Sequence, residues 1–190
     1  MNKIFDAIIK RRGRDVSRNG STVVLKVILS PQKGENRRAT KFLEPNEFWL
    51  FSMKDLSPVP SEGDIYLRDS LRFLIVETQY DTQADTLKCG VYLLPFEVKY
   101  YAPSGTLTAD AKLEYKAEVT LYANKEEVGR VINYWDGPQN EDTESFIIPP
   151  VTNAPQKGVK LKWQNKETII DKVHPLYSST GKFIGWRLKG

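Results

Sequence analysis

The feature that most constrains this chain is that its two halves repeat one pattern. Asp15-Val16 followed by Val24-Leu25-Lys26-Val27-Ile28 is echoed by Glu118-Val119 followed by Val128-Gly129-Arg130-Val131-Ile132. The stretch 65–94 lies over 159–188 without a gap. In that register Leu67 meets Leu161, Arg68 meets Lys162, Arg72 meets Lys166, and Tyr92-x-Leu94 meets Trp186-x-Leu188. Charge sign, aromatic position and spacing agree along much of both halves. Self-similarity at such a long period implies two related small modules in tandem.

The grammar within each half is that of strands. Segments 23–29, 47–53, 65–67, 73–78 and 89–98 are rich in β-branched and aromatic residues and are bounded by turn formers. Segments 115–121, 127–134, 145–148, 159–163, 167–173 and 182–188 continue the style. Residues 81–86 read as a hairpin tip, and Pro58 and Pro60 break the first half where Pro149, Pro150 and Pro155 break the second. Short strands without intervening helices predict a mainly β fold, two small barrels or sandwiches of the SH3-like kind, with long loops.

The exception is the beginning. Ile4, Phe5, Ile8 and Ile9 recur at helical spacing, Lys10-Arg11-Arg12 follows, and Gly13 is a stop. Cations in a last helical turn complement the macrodipole. The expected organisation is therefore an amphipathic helix over 1–12, a first module over 13–101, a small polar linker over 102–112, and a second, diverged module over 113–190.

Composition sets the outer bounds. With 40% hydrophobic and 11% aromatic residues, a chain of 190 residues has the material for packed cores. No apolar run approaches the roughly 20 residues that span a bilayer, and the N-terminus lacks the order of a secretory signal. A lone cysteine, Cys89, excludes an internal disulfide and fits synthesis in a cytoplasm. A net charge of +4 is too small to mark a polyanion binder by itself.

No catalytic constellation is legible. His174 is the only histidine, so neither it nor Cys89 has the company that a metal site needs. A Cys89–His174 nucleophilic pair would require the fold to join the two. No phosphate-binding glycine loop is present. The expectation is a chain that is not an enzyme and holds no cofactor or metal.

Binding features have two readings each. Arg11, Arg12, Arg14 and Arg18, with Arg37 and Arg38 further on, form either a solvated face or a contact with DNA phosphates or an acidic partner. Trp49, Phe51, Trp135, Trp163 and Trp186 are either core anchors or base-stacking platforms. The stripe Ile4, Phe5, Ile8 and Ile9 either covers the end of the first barrel or docks on a neighbouring subunit. The long segments 30–46, 133–145 and 149–157 exceed ordinary connections and suit binding loops.

Several motifs together resemble a known family. Gly13-Arg-Asp-Val, then Val27-Ile-Leu-Ser-Pro31, is similar to the opening of the small head–tail connector proteins of tailed bacteriophages, the head-closure or head-completion proteins beneath the portal. Phe48-Trp-Leu-Phe-Ser-Met53 resembles that family's central aromatic strand. Glu62-Gly63-Asp64-Ile65-Tyr66 and Arg72-Phe-Leu-Ile-Val-Glu77 resemble its Gly-Asp step and paired apolar strands, and Cys89–Leu94 its closing strand. The match covers 13–96. The second half has Gly158-Val159 in place of the Gly-Asp step.

The resemblance implies a structural virion protein of the phage neck. Such proteins form a homo-oligomeric ring under the portal protein, retain the packaged DNA, extend its channel and present the surface to which a tail or tail-completion protein attaches, with no membrane contact. It implies a place at the head–tail junction of the virion. On this reading Ile4, Phe5, Ile8 and Ile9 meet the portal or a neighbouring subunit. Arg11, Arg12, Arg14, Arg18, Arg37 and Arg38 face the DNA channel or an acidic partner, and Tyr134, Trp135, Pro150 and Val151 meet a neighbour or the tail. The alternatives are a nucleic-acid-binding tandem barrel and a tail or baseplate structural protein.

Overall fold

The structure is a computed structural model that describes residues 3–31, 43–54, 56–126 and 144–190. It is mainly β, with one short N-terminal helix and two barrel-like modules. Helix α1 (Lys3–Arg12) ends where Gly13 donates its amide to the Ile9 carbonyl at 2.8 Å. A Cβ at Gly13 would stand 2.4 Å from that carbonyl oxygen, so only glycine lets the chain turn this tightly against the helix.

The first module comprises β1 (Arg14–Arg18), β2 (Val24–Pro31), β3 (Glu47–Ser52), β4 (Ile65–Arg68), β5 (Leu71–Asp81) and β6 (Thr86–Leu94). These close into a barrel in the order β1-β2-β3-β6-β5-β4. Alternation along β3 sends Trp49 and Phe51 inward, where Tyr66, Phe73 and Cys89 join them in the core. Trp49 lies with its ring centroid 5.0 Å from that of Phe73 and 6.3 Å from that of Tyr66.

The second module is built from β7 (Phe96–Tyr101), β10 (Val119–Glu126), β11 (Ser145–Ile148), β12 (Lys160–Trp163), β13 (Lys166–Ile169), β14 (Lys172–Tyr177) and β15 (Phe183–Lys189). Its sheet runs β13-β12-β7-β10-β11-β15-β14. Between β7 and β10 stands a separate two-stranded hairpin, β8 (Pro103–Leu107) with β9 (Leu113–Tyr115). Val98, Phe146, Ile148, Leu161 and Leu188 are among its buried core.

The two modules share one topology. Read β7, β10, β11, β12 and β15 for β1, β2, β3, β4 and β6, and the strand orders coincide; β13 and β14 together stand where the single strand β5 stands. The strand registers carry this to residues. Val16 pairs with Leu25 as Val98 pairs with Leu121, and Arg18 pairs with Tyr66 as Tyr100 pairs with Leu161. Trp49 pairs with Cys89 as Phe146 pairs with Leu188.

This equivalence corrects the sequence register in three ways. The duplicated turn joins Gly63 to Gly158, with φ of 89° and 88°, one residue away from the gapless alignment. Gly63 donates to the Ile75 carbonyl and Gly158 to the Ile170 carbonyl, both at 2.8 Å. Tyr66, not Leu67, is therefore the counterpart of Leu161, and β4 and β12 show the same alternation of one buried position among half-buried ones. Next, Glu118-Val119 opens the counterpart of β2, whereas the counterpart of β1 is β7; residues 128–132, its expected continuation, lie outside the described residues. Lastly, a bulge between Ile75 and Glu77 in β5 and the β13–β14 break move the registers further apart.

The module boundaries also differ from the expectation. By contacts the chain divides into Met1–Leu94 with Leu176–Ile184, and Pro95–Pro175 with Gly185–Gly190. Segment 89–98 is not one strand, because Pro95 separates β6 from β7. Segment 102–112 is not a free linker: most of it forms β8 and the turn that leads to β9.

Candidate functional site

The helix stripe is divided by its packing. Ile9 is 7% exposed and Phe5 half-buried, while Ile4 is 74% and Ile8 43% exposed. Phe5 and Ile9 are one helical turn apart, and so are Ile4 and Ile8, so each pair shares a stripe. Of the four residues expected to meet a partner, Ile9 is buried in its own module, Phe5 is half-buried, and Ile4 and Ile8 are exposed. The helix lies against β2 and β3, and the Ser52 hydroxyl donates to the Asp6 carboxylate.

Beside the helix runs an open cleft. One part, about 270 Å³, is lined by Asp6, Ile9, Lys10, Lys26, Ser52 and Lys54. A second part of about 180 Å³ shares Ile9, Lys26, Ser52 and Lys54 and adds Val24, Leu25 and Leu56. The shared walls make it one trough with an aliphatic floor and a lysine rim.

The basic cluster sorts by partner. Arg18 is engaged by Asp64 at 2.6 Å and Lys26 by Asp15 at 2.8 Å, so Arg18 is not a free contact for an outside phosphate. Arg11, Arg12 and Arg14 are exposed and have no ion-pair partner among the described residues. Arg37 and Arg38 lie outside the described residues, as do Tyr134 and Trp135. Pro150 is exposed, and Val151 is half-buried against the second core.

Each module keeps one carboxylate pinned at the start of its third strand. Glu47 accepts the Trp49 indole N–H at 2.6 Å and the Arg68 guanidinium, which stacks 4.5 Å from the Phe73 ring centroid. In the second module Glu144 accepts Lys125 Nζ at 2.7 Å, Lys166 Nζ at 3.0 Å and the Thr168 hydroxyl at 2.6 Å, and Lys125 lies over Trp163. Burial pushes the Glu144 carboxyl up, but these three donors outweigh it and hold the group at about 2. Both pairs satisfy charge internally.

Glu62, which opens the Gly-Asp motif, is a buried carboxylate for which the sequence suggested no role. It accepts the Thr78 amide at 3.1 Å, the Ser178 hydroxyl at 2.8 Å and the Thr180 hydroxyl at 2.6 Å. Its two hydroxyl donors stand 116 and 118 positions away in sequence, so no local pattern reveals those contacts.

The nucleophile reading fails on burial. Cys89 is sealed in the first core, where burial and the nearby carboxylates of Asp64, Glu62 and Glu77 push its thiol far up, so it carries no thiolate near neutral pH. Burial raises the Tyr66 phenol to about 12, with Asp64 adding to the effect. His174 is exposed on β14. Among the described residues no group of three or more His, Cys, Asp or Glu side chains has the geometry to hold a metal ion. No described helix is long and apolar enough to cross a membrane.

The stacking-platform reading fails for the first module. Trp49 and Phe51 are fully buried core residues, and Trp163 and Trp186 are half-buried against the second core. Compared with protein-family models, with curated proteins and with solved structures, the chain matches none.

Proposed function

We propose that the chain is a structural protein of the neck of a tailed bacteriophage, acting by assembly rather than by chemistry. Copies form a ring beneath the portal, close the DNA-filled head and present a surface for the tail. The observation that carries the reading is where the resembling motifs fall. The aromatic segment at Phe48 is the central strand β3 between β2 and β6, the Gly63-Asp64 step leads into the β4–β5 hairpin, and the segment ending at Leu94 is β6. All belong to one closed barrel, so they act as a coherent structural signature rather than as scattered matches.

Three features of that barrel support the reading. Its ionisable and aromatic groups are spent on its own stability, as the buried Cys89 and the Glu47–Arg68 pair illustrate. Ile4 and Ile8 offer apolar surface for a subunit or portal contact. Arg11, Arg12 and Arg14 remain for an acidic partner or the DNA channel.

Quantitative mass spectrometry of purified virus particles tests this. The expected result is a fixed, low copy number in proportion to portal. Proportion to a tail component instead would assign the chain to the tail or baseplate. Absence from particles overturns the proposal. Deleting residues 3–12 is expected to abolish incorporation while leaving the strand content of the purified chain intact.

A further inference from the structure

We infer that the trough between α1, β2 and β3 is a docking site for an acidic protein segment with aliphatic anchors, a partner chemistry that deepens the assembly reading and rests on it for its setting. The shape comes first. The trough is concave and open, floored by Ile9, Val24, Leu25 and Leu56. Asp6, Ile9 and Lys10 of the helix form one wall, Ile4 and Ile8 lie on its other side outside the trough, and Val24, 60% exposed, lies in the floor. Such a surface suits aliphatic side chains presented at helical or extended spacing.

Charge then selects the partner. Asp15 and Lys26 pair with each other, and Asp6, which accepts the Ser52 hydroxyl, is the one carboxylate in the lining against the two lysines Lys10 and Lys54. Lys10, Arg11, Arg12, Arg14 and Lys54 are exposed, and none has an ion-pair partner among the described residues. A cationic rim around an aliphatic floor attracts carboxylates flanking aliphatic residues and repels basic segments. A membrane is the poorer fit, because Phe5 and Ile9 face the helix's own module and only two isoleucines of the stripe remain free. DNA supplies charge but nothing to cover the floor.

The test uses the purified full-length chain. Three labelled peptides carry leucines at one helical spacing, with the intervening positions filled by glutamate, glutamine or lysine. The expected order of affinity is glutamate over glutamine over lysine, with about tenfold between the first two at low salt and a smaller gap at high salt. Lys10→Glu with Lys54→Glu is expected to reverse the order. Val24→Asp is expected to weaken every peptide, with the thermal transition little changed because the side chain is 60% exposed. Equal binding of all three peptides, no binding of any, or indifference to Val24→Asp overturns the inference. So does tighter binding to vesicles containing phosphatidylglycerol or to a 20-base-pair duplex. None of these outcomes depends on particle composition, so the inference and the neck assignment fail separately.

Discussion

The two modules answer the same topological problem with different side chains. At the centre of its third strand the first buries Trp49 and Phe51, while the second buries Phe146 and Ile148. The carboxylate that precedes each pair is held differently too. Glu47 faces a guanidinium caught over aromatic rings, whereas Glu144 faces two lysines and a hydroxyl. The position of these groups follows from the strand order, and their identity is free to drift. Topology is the more tightly constrained property, since changing a strand's register reorients every side chain on it, whereas one core residue can be exchanged for another of similar volume.

The strongest way to break this comparison is to empty each core in turn. Trp49→Ala is expected to cost about 3–5 kcal/mol, and Phe146→Ala a similar amount toward the lower end of that range. Amide exchange reads the two modules separately. Protection should fall around residues 49–51 in the first variant and around 146–148 in the second. Equal loss at both places in either variant would show that the modules melt as one.

A smaller effect separates the two pinned carboxylates. Removing Glu47 leaves the Arg68 guanidinium, whose side chain is only 14% exposed, with the exposed Asp69 at 3.9 Å as its one remaining carboxylate, so Glu47→Ala is expected to cost about 2 kcal/mol. Lys125 and Lys166 are 31% and 65% exposed and can turn to water, so Glu144→Ala should cost about 1 kcal/mol. Denaturant midpoints of the two variants check the order, and the reverse order would refute the account of Arg68.

The paired turns sharpen the repeat itself. Gly63 and Gly158 share a left-handed φ and the same hydrogen bond, so Gly63→Ala and Gly158→Ala should each cost about 1–2 kcal/mol. Costs that differ by more than about 1 kcal/mol would mean the two turns are not equivalent.

The smallest expected effect is a pH dependence confined to the second module. Glu144 sits at about 2 against an ordinary 4.5, so its folded-state value is depressed. Its contribution is therefore complete above about pH 4.5 and is lost as the pH falls toward 2. Unfolding midpoints measured between pH 5 and pH 2 should fall less steeply in Glu144→Gln than in the parent chain.

Much of the local structure was legible from residues alone. Helical spacing placed a helix within 1–12, and the helix is Lys3–Arg12. Residues 145–148 and 47–53 fall on β11 and β3, and 81–86 is the hairpin tip where Asp81 pairs with Thr86. Strand β1 was missed, because Arg14–Arg18 carries one buried residue, Val16, among polar neighbours and looks like loop. The Glu62 contacts were invisible for another reason: hydroxyl donors are ordinary turn residues until the fold delivers them to a carboxylate.

Sequence by itself determined the strand vocabulary, the helix with its glycine stop, and the existence of two related modules. These depend on side-chain periodicity and turn chemistry, which act over a few residues. Tertiary structure decided the register of the repeat, which aromatics face inward, the division at Leu94 and Pro95, and which of Ile4, Phe5, Ile8 and Ile9 remain free. A period of two says that one face of a strand is buried but not how neighbouring strands slide past one another. Closing the first sheet into a barrel and curling the second around its own core fix that, because only one register brings every inward side chain to the same core.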